Sequence, residues 1–527
     1  MENTPENKDF NIPEAKDNFA EEEFSSIFSA PVEHKKKNPN AKKKPWLIIA
    51  VAFLVVAALV GSTIAVIKLI PVLNDEEAVS SNDNSITVLD NDSDNYKAVT
   101  IKNSNGSFSF YPETVIEKSD SEEKNSTKTV NWYLDGYDKE LLNTSAISVV
   151  VETSSDISAT KEITKMTLED CGLNEPEVIV DITDKDDKVF SILIGNNTPD
   201  NMSCYVKLSN SDKVFITDIS IKQSFTFVAL DFASNEALPS FNLTDAMGDY
   251  KADDGTLATF DSLTVSGKKF DTPVVIEPNR DEQLATLVAF VVTSPTRRIA
   301  ENIDGVLNLF KSGITVTGAY SFDVTSDSLK AVGLDNPDFV ATLSIMGNTQ
   351  TFKFALQEDG NYAVICDTSK LISKVSASNV TFAGYKLTDF YSSWVCLVSI
   401  DTLESLVIEN EGTVYDYKIT KTIDEDENKE YSVTLNGKKV NFEKFQDFYQ
   451  ELISIACTDF TVDDVGASAP NIKFTFNFLE ENGGGSTVTE FYKISETRYQ
   501  YKTDGINLGK VNSSTLKKIF AEMDKIS

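Results

Sequence analysis

One histidine, His34, stands among lysines early in a chain of 527 residues that carries 82 acidic side chains. With no histidine after it, a Ser-His-Asp triad, a Cys-His pair or His-ligated zinc has no place in the remaining sequence. The five cysteines, Cys171, Cys204, Cys366, Cys396 and Cys457, are widely scattered without a Cys-x-x-Cys spacing. They read as small buried apolar side chains rather than zinc ligands or a disulfide framework. Carboxylates such as Glu169/Asp170 or Asp184/Asp186/Asp187 could in principle share acid/base work on a glycosidic bond. They fall at a helix end and in a turn, where solvated charge is the plainer reading. Asp90, Asp92 and Asp94 alternate as in a calcium loop, but its sixth and twelfth positions hold Asn95 and Ile101 where Gly and Glu are needed. Gly483, Gly484 and Gly485 are followed by neither a helix nor a Lys-Ser/Thr pair, so they read as a strand connection and not as a phosphate cradle. Trp132 and Trp394 could line a ligand groove, but packing is the plainer reading. The expectation is a non-enzymatic protein with no cofactor and no metal.

The formal net charge is −34. Nucleic-acid binding needs lysine and arginine to neutralise phosphates, so it is excluded as a main function. An apolar content of 41% suits folded domains. One segment sets the expected topology. Residues 46–67, "WLIIAVAFLVVAALVGSTIAVI", carry no charge, and at 1.5 Å per residue they span about 33 Å, enough for the hydrocarbon core. Six lysines between Lys35 and Lys44 precede the segment; Asp75, Glu76 and Glu77 follow it. The positive-inside rule then places residues 1–44 in the cytoplasm and the bulk of the chain outside, as a single-pass signal-anchor protein of the cell membrane. Residues 1–44 have a composition expected to be disordered. Within them Phe24, Ile27 and Phe28 can share one helical face and form a docking patch. Residues 45–70 are the expected transmembrane helix and 71–96 an acidic linker.

The remainder reads as three α+β units, 97–245, 258–400 and 403–527, each an antiparallel sheet with helices packed on one face. Each opens with a hairpin-like stretch, with turns expected at Asn105-Gly106, Ser266-Gly267 and Glu411-Gly412. Helical spacing follows, in "NRDEQLATLVAFVV" from Asn279 and in "NFEKFQDFYQELISIA", where Phe442, Phe445, Tyr449 and Leu452 recur near three- and four-residue intervals. Alternating strands come next, such as "EVIVDI", "FVATLSI" and "NIKFTFNF". Between helix and strands stands Gly-Leu-x-x-Pro: Gly172, Leu173 and Pro176 in the first unit, Gly333, Leu334 and Pro337 in the second. The glycine suits a left-handed helix C-cap, the leucine folds back on the last turn, and the proline favours an extended start to the strand. The third unit keeps only Gly466 and Pro470.

"GLNEP", "GLDNP" and "FSILIGNNTP…CYVKL…KVFITD" together resemble the DUF4340 family of bacterial proteins, over roughly residues 95–400. The resemblance implies no catalytic residues. Some relatives are encoded beside ABC-transporter genes, which implies an auxiliary role in a membrane complex. The expected partners are the lipid bilayer, through residues 46–67, and proteins of such a complex. Two alternatives stay open: a carboxylate-dependent envelope hydrolase and a divalent-cation-dependent adhesive scaffold.

Overall fold

The computed structural model describes residues 85–117, 127–280, 288–423, 429–466 and 468–526. The expected membrane span 46–67, the patch Phe24, Ile27 and Phe28, and His34 lie outside these residues. Among the described residues no helix is long and apolar enough to cross a membrane.

The described chain divides into two compact units, 85–234 and 235–526. The first holds a two-stranded ribbon and a main antiparallel sheet with strands β1 (Tyr96–Asn103), β2 (Gly106–Glu117), β3 (Thr127–Leu134), β4 (Val178–Asp184), β5 (Val189–Asn197), β6 (Ser203–Leu208) and β7 (Val214–Asp218), in the order 3-2-1-4-5-6-7. The second unit holds two more sheets. Strands β8 (Ser262–Ser266), β9 (Val274–Pro278), β10 (Phe290–Ser294), β11 (Phe339–Ile345), β12 (Asn348–Leu356), β13 (Tyr362–Cys366) and β14 (Ile372–Val375) run 10-9-8-11-12-13-14. Strands β15 (Leu403–Asn410), β16 (Thr413–Ile423), β17 (Lys429–Leu435), β18 (Ile472–Phe478), β19 (Ser486–Lys493), β20 (Arg498–Thr503) and β21 (Ile506–Asn512) run 17-16-15-18-19-20-21. The three repeats therefore share one strand order, and the third keeps it despite its weak sequence echo.

In each repeat a helix follows the third strand: α1 (Thr144–Thr153), α3 (Asp304–Ser312) and α5 (Phe442–Ile453), α2 (Ile219–Ser224) lying after β7. The chain then returns at the far edge of the sheet. Lys161–Ile163 pairs with β7, and Gly318–Ser321 pairs with β14. In the third repeat this edge strand shrinks to a single bridge, Asp459 to Lys510 of β21. The helix thus links opposite edges of its sheet, which explains why it needs an apolar face along its length. Helix α5 supplies it with Phe445, Phe448, Tyr449, Leu452 and Ile453, all buried, and is capped by Asn441, which accepts from the Lys444 amide at 3.0 Å. The closing helix α6 (Ser513–Met523) adds Leu516, Ile519 and Met523 to the same core.

Three expectations need correction. "NRDEQLATLVAFVV" is not a helix in its described part: Phe290–Ser294 is strand β10, paired with β9. Its β-branched valines fit a pleated surface better than a helix, and the helix of this repeat is α3, further on. The linker 71–96 ends early, since Ile86–Asp90 forms a strand against Asp156–Ala159 and Tyr96 is buried. Finally, not all helical turns lie on one face. In β13, Tyr362, Val364 and Cys366 join the main core beneath α3. Their alternating neighbours Ala363 and Ile365 point the other way, into a small cluster completed by Leu334, Leu329 and Val332 of the capped turn. The short helix α4 (Ser326–Ala331) that carries this turn therefore sits on the opposite face of the sheet.

Candidate functional site

The Gly-Leu-x-x-Pro elements form Schellman turns. In the first repeat the Gly172 amide donates to Glu169 O at 3.0 Å and the Leu173 amide to Leu168 O at 2.7 Å. In the second, Gly333 donates to Lys330 O at 3.2 Å and Leu334 to Leu329 O at 2.8 Å. Both glycines are left-handed, at φ 66° and 74°. Only the second turn ends a regular helix, α4; the first is a free-standing turn. Leu173 and Leu334 are buried, each in a satellite cluster on the back of its sheet. Pro176 and Pro337 precede β4 and β11. These residues carry packing and no chemistry.

The acidic candidates are likewise occupied. Asp170 accepts from the Thr167 amide and hydroxyl at 3.1 and 2.7 Å, and these hydrogen bonds hold its carboxyl below the usual range. Asp184 accepts from the amides of Asp186 and Lys188, both at 2.9 Å, while Asp186 and Asp187 pair with Lys188 and Lys97. Asp92 caps the turn Ser93–Asn95 by accepting from the Asp94 amide. Glu169 sits exposed in the first Schellman turn. Among the described residues no group of three or more His, Cys, Asp or Glu is arranged to hold a metal ion. All five cysteines are buried and free. Trp132 is buried in the first repeat.

One place has the shape of a binding site. A cavity of about 260 Å³ lies between the second and third repeats, inside the unit 235–526. It exists because Arg298–Ile299 extends the second sheet beyond β10, while the segment after Tyr391 crosses to the third repeat. Val291, Ile299, Trp394 and Leu397 line one side, and Phe476 and Leu508 the other. Ser392, Thr489 and Tyr501 add hydroxyls. Trp394 is thus both packing and lining.

Arg298 is the chemically distinctive group. Its guanidinium stacks 4.6 Å from the Tyr391 ring centroid and 5.1 Å from that of Phe460. Nη1 donates to the Tyr501 hydroxyl at 3.4 Å, and Nη2 donates to Leu508 O. Its Nε is buried and finds no acceptor among the described residues. Burial raises the Tyr501 phenol above its ordinary value, Cys457 adds to this, and Arg298 opposes it. Burial also raises the Cys396 thiol to about 12, with Thr489 opposing. Near neutral pH those two groups are protonated. The wall combines hydrogen-bonding groups, the half-buried Arg298 and apolar surface. Nothing in the linear sequence placed Arg298 here; its neighbours Tyr501 and Leu508 lie more than two hundred positions away.

The architecture is a three-fold antiparallel meander repeat with a ligand-sized cavity at one junction. A family model described as "Domain of unknown function (DUF4340)" matches residues 132–285, so the chain carries a DUF4340 domain. The match runs from β3 through the first Schellman turn to just beyond β9, a shorter stretch than the 95–400 over which the sequence motifs resemble the family. No curated protein matches, and no solved structure matches.

Proposed function

We propose that this chain is a single-pass membrane protein whose repeated α+β units act as a non-enzymatic binding or scaffold component of an envelope or transporter-associated complex. Residues 46–67 would thread the bilayer, with residues 1–44 cytoplasmic and Phe24, Ile27 and Phe28 available to dock a partner.

The observation that supports the non-enzymatic part is electrostatic. A carboxyl acting as general acid needs its pKa raised. Among the described residues, each carboxylate with a resolved shift is moved down: Asp170, Asp200, Asp218, Asp254, Asp359, Asp401, Asp459 and Glu496. Turn amides, hydroxyls and lysines cause most of these shifts. This weighs against the envelope hydrolase. The membrane part is tested with intact cells and alkaline extraction. Added protease should digest the repeats while the chain stays in the membrane pellet. Protection of the repeats, or release of the chain as a soluble species, overturns the reading.

A further inference from the structure

We propose that Arg298 and Phe460 form a latch between the second and third repeats, and that its release opens the cavity beside it without unfolding either core. This goes beyond the scaffold reading and stands whether or not that reading holds.

The latch is reciprocal. Arg298 is fixed to the second sheet, where it pairs with Val292 of β10. Its side chain crosses to the third sheet: Nη1 donates to the Tyr501 hydroxyl on β20 at 3.4 Å, and Nη2 donates to Leu508 O on β21. Phe460, from the third repeat, crosses the other way. It packs against the hydrophobic cores of both repeats, and its ring centroid lies 5.6 Å from that of Tyr391. The guanidinium stacks on both rings, so each half of the latch holds the other in place.

A second tie between the repeats is the chain itself. The Ser392 amide donates to Ile299 O at 3.0 Å, on the side of the second repeat, and the Val395 amide donates to Ile455 O at 3.0 Å, on the side of the third. This connection is covalent and stays when the repeats part; the latch is not. Between the two ties the packing is incomplete, because the cavity separates Val291 and Ile299 from Phe476 and Leu508. Atoms that line a void lack dispersion partners on that side. The junction is therefore weaker than the close-packed cores that flank it, and it parts before they do.

The readout is Cys396, which lines the cavity and is 2% exposed. Cys366 lies in the second core, and Cys171 and Cys204 lie in the first repeat, all of them buried. The full chain is labelled with N-ethylmaleimide below its unfolding transition, and each site is followed by peptide mass. Arg298→Gln and Phe460→Leu each break the latch. Leu334→Ala weakens the second repeat away from the junction. Cys396 should label at least about tenfold faster in both latch variants, as loss of a charge-assisted hydrogen bond or an aromatic contact requires. Cys366, Cys171 and Cys204 should keep the parent's rates, and Leu334→Ala should not single out Cys396. The proposal is overturned if either folded latch variant labels Cys396 at the parent's rate, if Cys366 accelerates in step with it, or if Leu334→Ala exposes Cys396 as much. Should Arg298→Gln fail to fold, Phe460→Leu decides.

Discussion

The carbonyl oxygen of Cys171 lies against Gly195 so closely that a Cβ on that glycine would stand 2.1 Å from it. The next residue, Asn196, donates its backbone amide to the same carbonyl at 2.9 Å. The first Schellman turn is thus docked on β5 by a backbone contact that only glycine permits. The second turn docks differently: the Gln357 side-chain amide donates to Val332 O at 2.8 Å, and a Cβ on Gly333 would meet only Ala355, at 3.8 Å.

Gly195→Ala is therefore expected to be more damaging than Gly333→Ala. The latter incurs only the left-handed penalty, about 1–2 kcal/mol. The former must push backbone from backbone and should lower the melting temperature of the first repeat further, with faster hydrogen exchange at the Asn196 amide. Equal effects in calorimetry would contradict the docking contact.

The leucine of each turn plugs the satellite cluster beside it. Leu173→Ala and Leu334→Ala remove buried apolar volume and should each cost about 2–5 kcal/mol. Chemical unfolding followed by tyrosine fluorescence would measure this. A cost below about 1 kcal/mol would mean that the turns sit loosely on their sheets.

The repeat, its capped turn and most strands were legible in the sequence because alternation and Gly-Leu-x-x-Pro are local signals. "NIKFTFNF" reads as a strand from Phe474, Phe476 and Phe478 alone, all of them buried. Helix α1 was not legible: "TSAISVVVET" is rich in β-branched residues and favours a strand by local preference, and tertiary packing of Ile147, Val150 and Val151 overrides that. The role of Gly195 carries no local signal, because the approach of Cys171 is a tertiary fact. The cavity was hidden for the same reason, with Trp394 its one sequence-level hint.

Thiol chemistry should separate folded from unfolded chain. Burial raises Cys204 to about 11 and Cys396 to about 12, so neither forms thiolate near neutral pH. All five cysteines should resist N-ethylmaleimide in the folded state, and all should react in urea, as read by intact mass. Rapid labelling of Cys396 in the folded chain would show that the wall of the cavity opens.

Acid should weaken one surface cluster in a defined window. Lys374 Nζ pairs with Asp359 at 2.6 Å, and the Tyr320 hydroxyl donates to the same carboxylate at 2.8 Å. With the Asn361 amide they hold the Asp359 carboxyl well below its ordinary value. A depressed folded-state pKa contributes stability above the unfolded value, about 3.9, and that contribution fades as pH falls through the folded one. The melting-temperature difference between parent and Asp359→Asn should stay constant above about pH 5 and shrink below about pH 4. A difference independent of pH would remove Asp359 as its source.

Two tyrosines in the third core should respond oppositely to loss of their hydroxyls. Both are buried, Tyr417 at 0% and Tyr449 at 4% exposure, and both stack among the phenylalanines of α5. Tyr449 donates to Val398 O at 2.8 Å, so Tyr449→Phe strands a buried carbonyl and should cost about 1–3 kcal/mol. The Tyr417 hydroxyl has no partner among the described residues. Its desolvation is uncompensated, so Tyr417→Phe should be neutral or stabilise the third repeat by about 1 kcal/mol. The two changes have the same size and chemistry, which makes the comparison independent of cavity terms. If both destabilised the chain equally in thermal unfolding, the hydrogen-bond assignment in this core would be wrong.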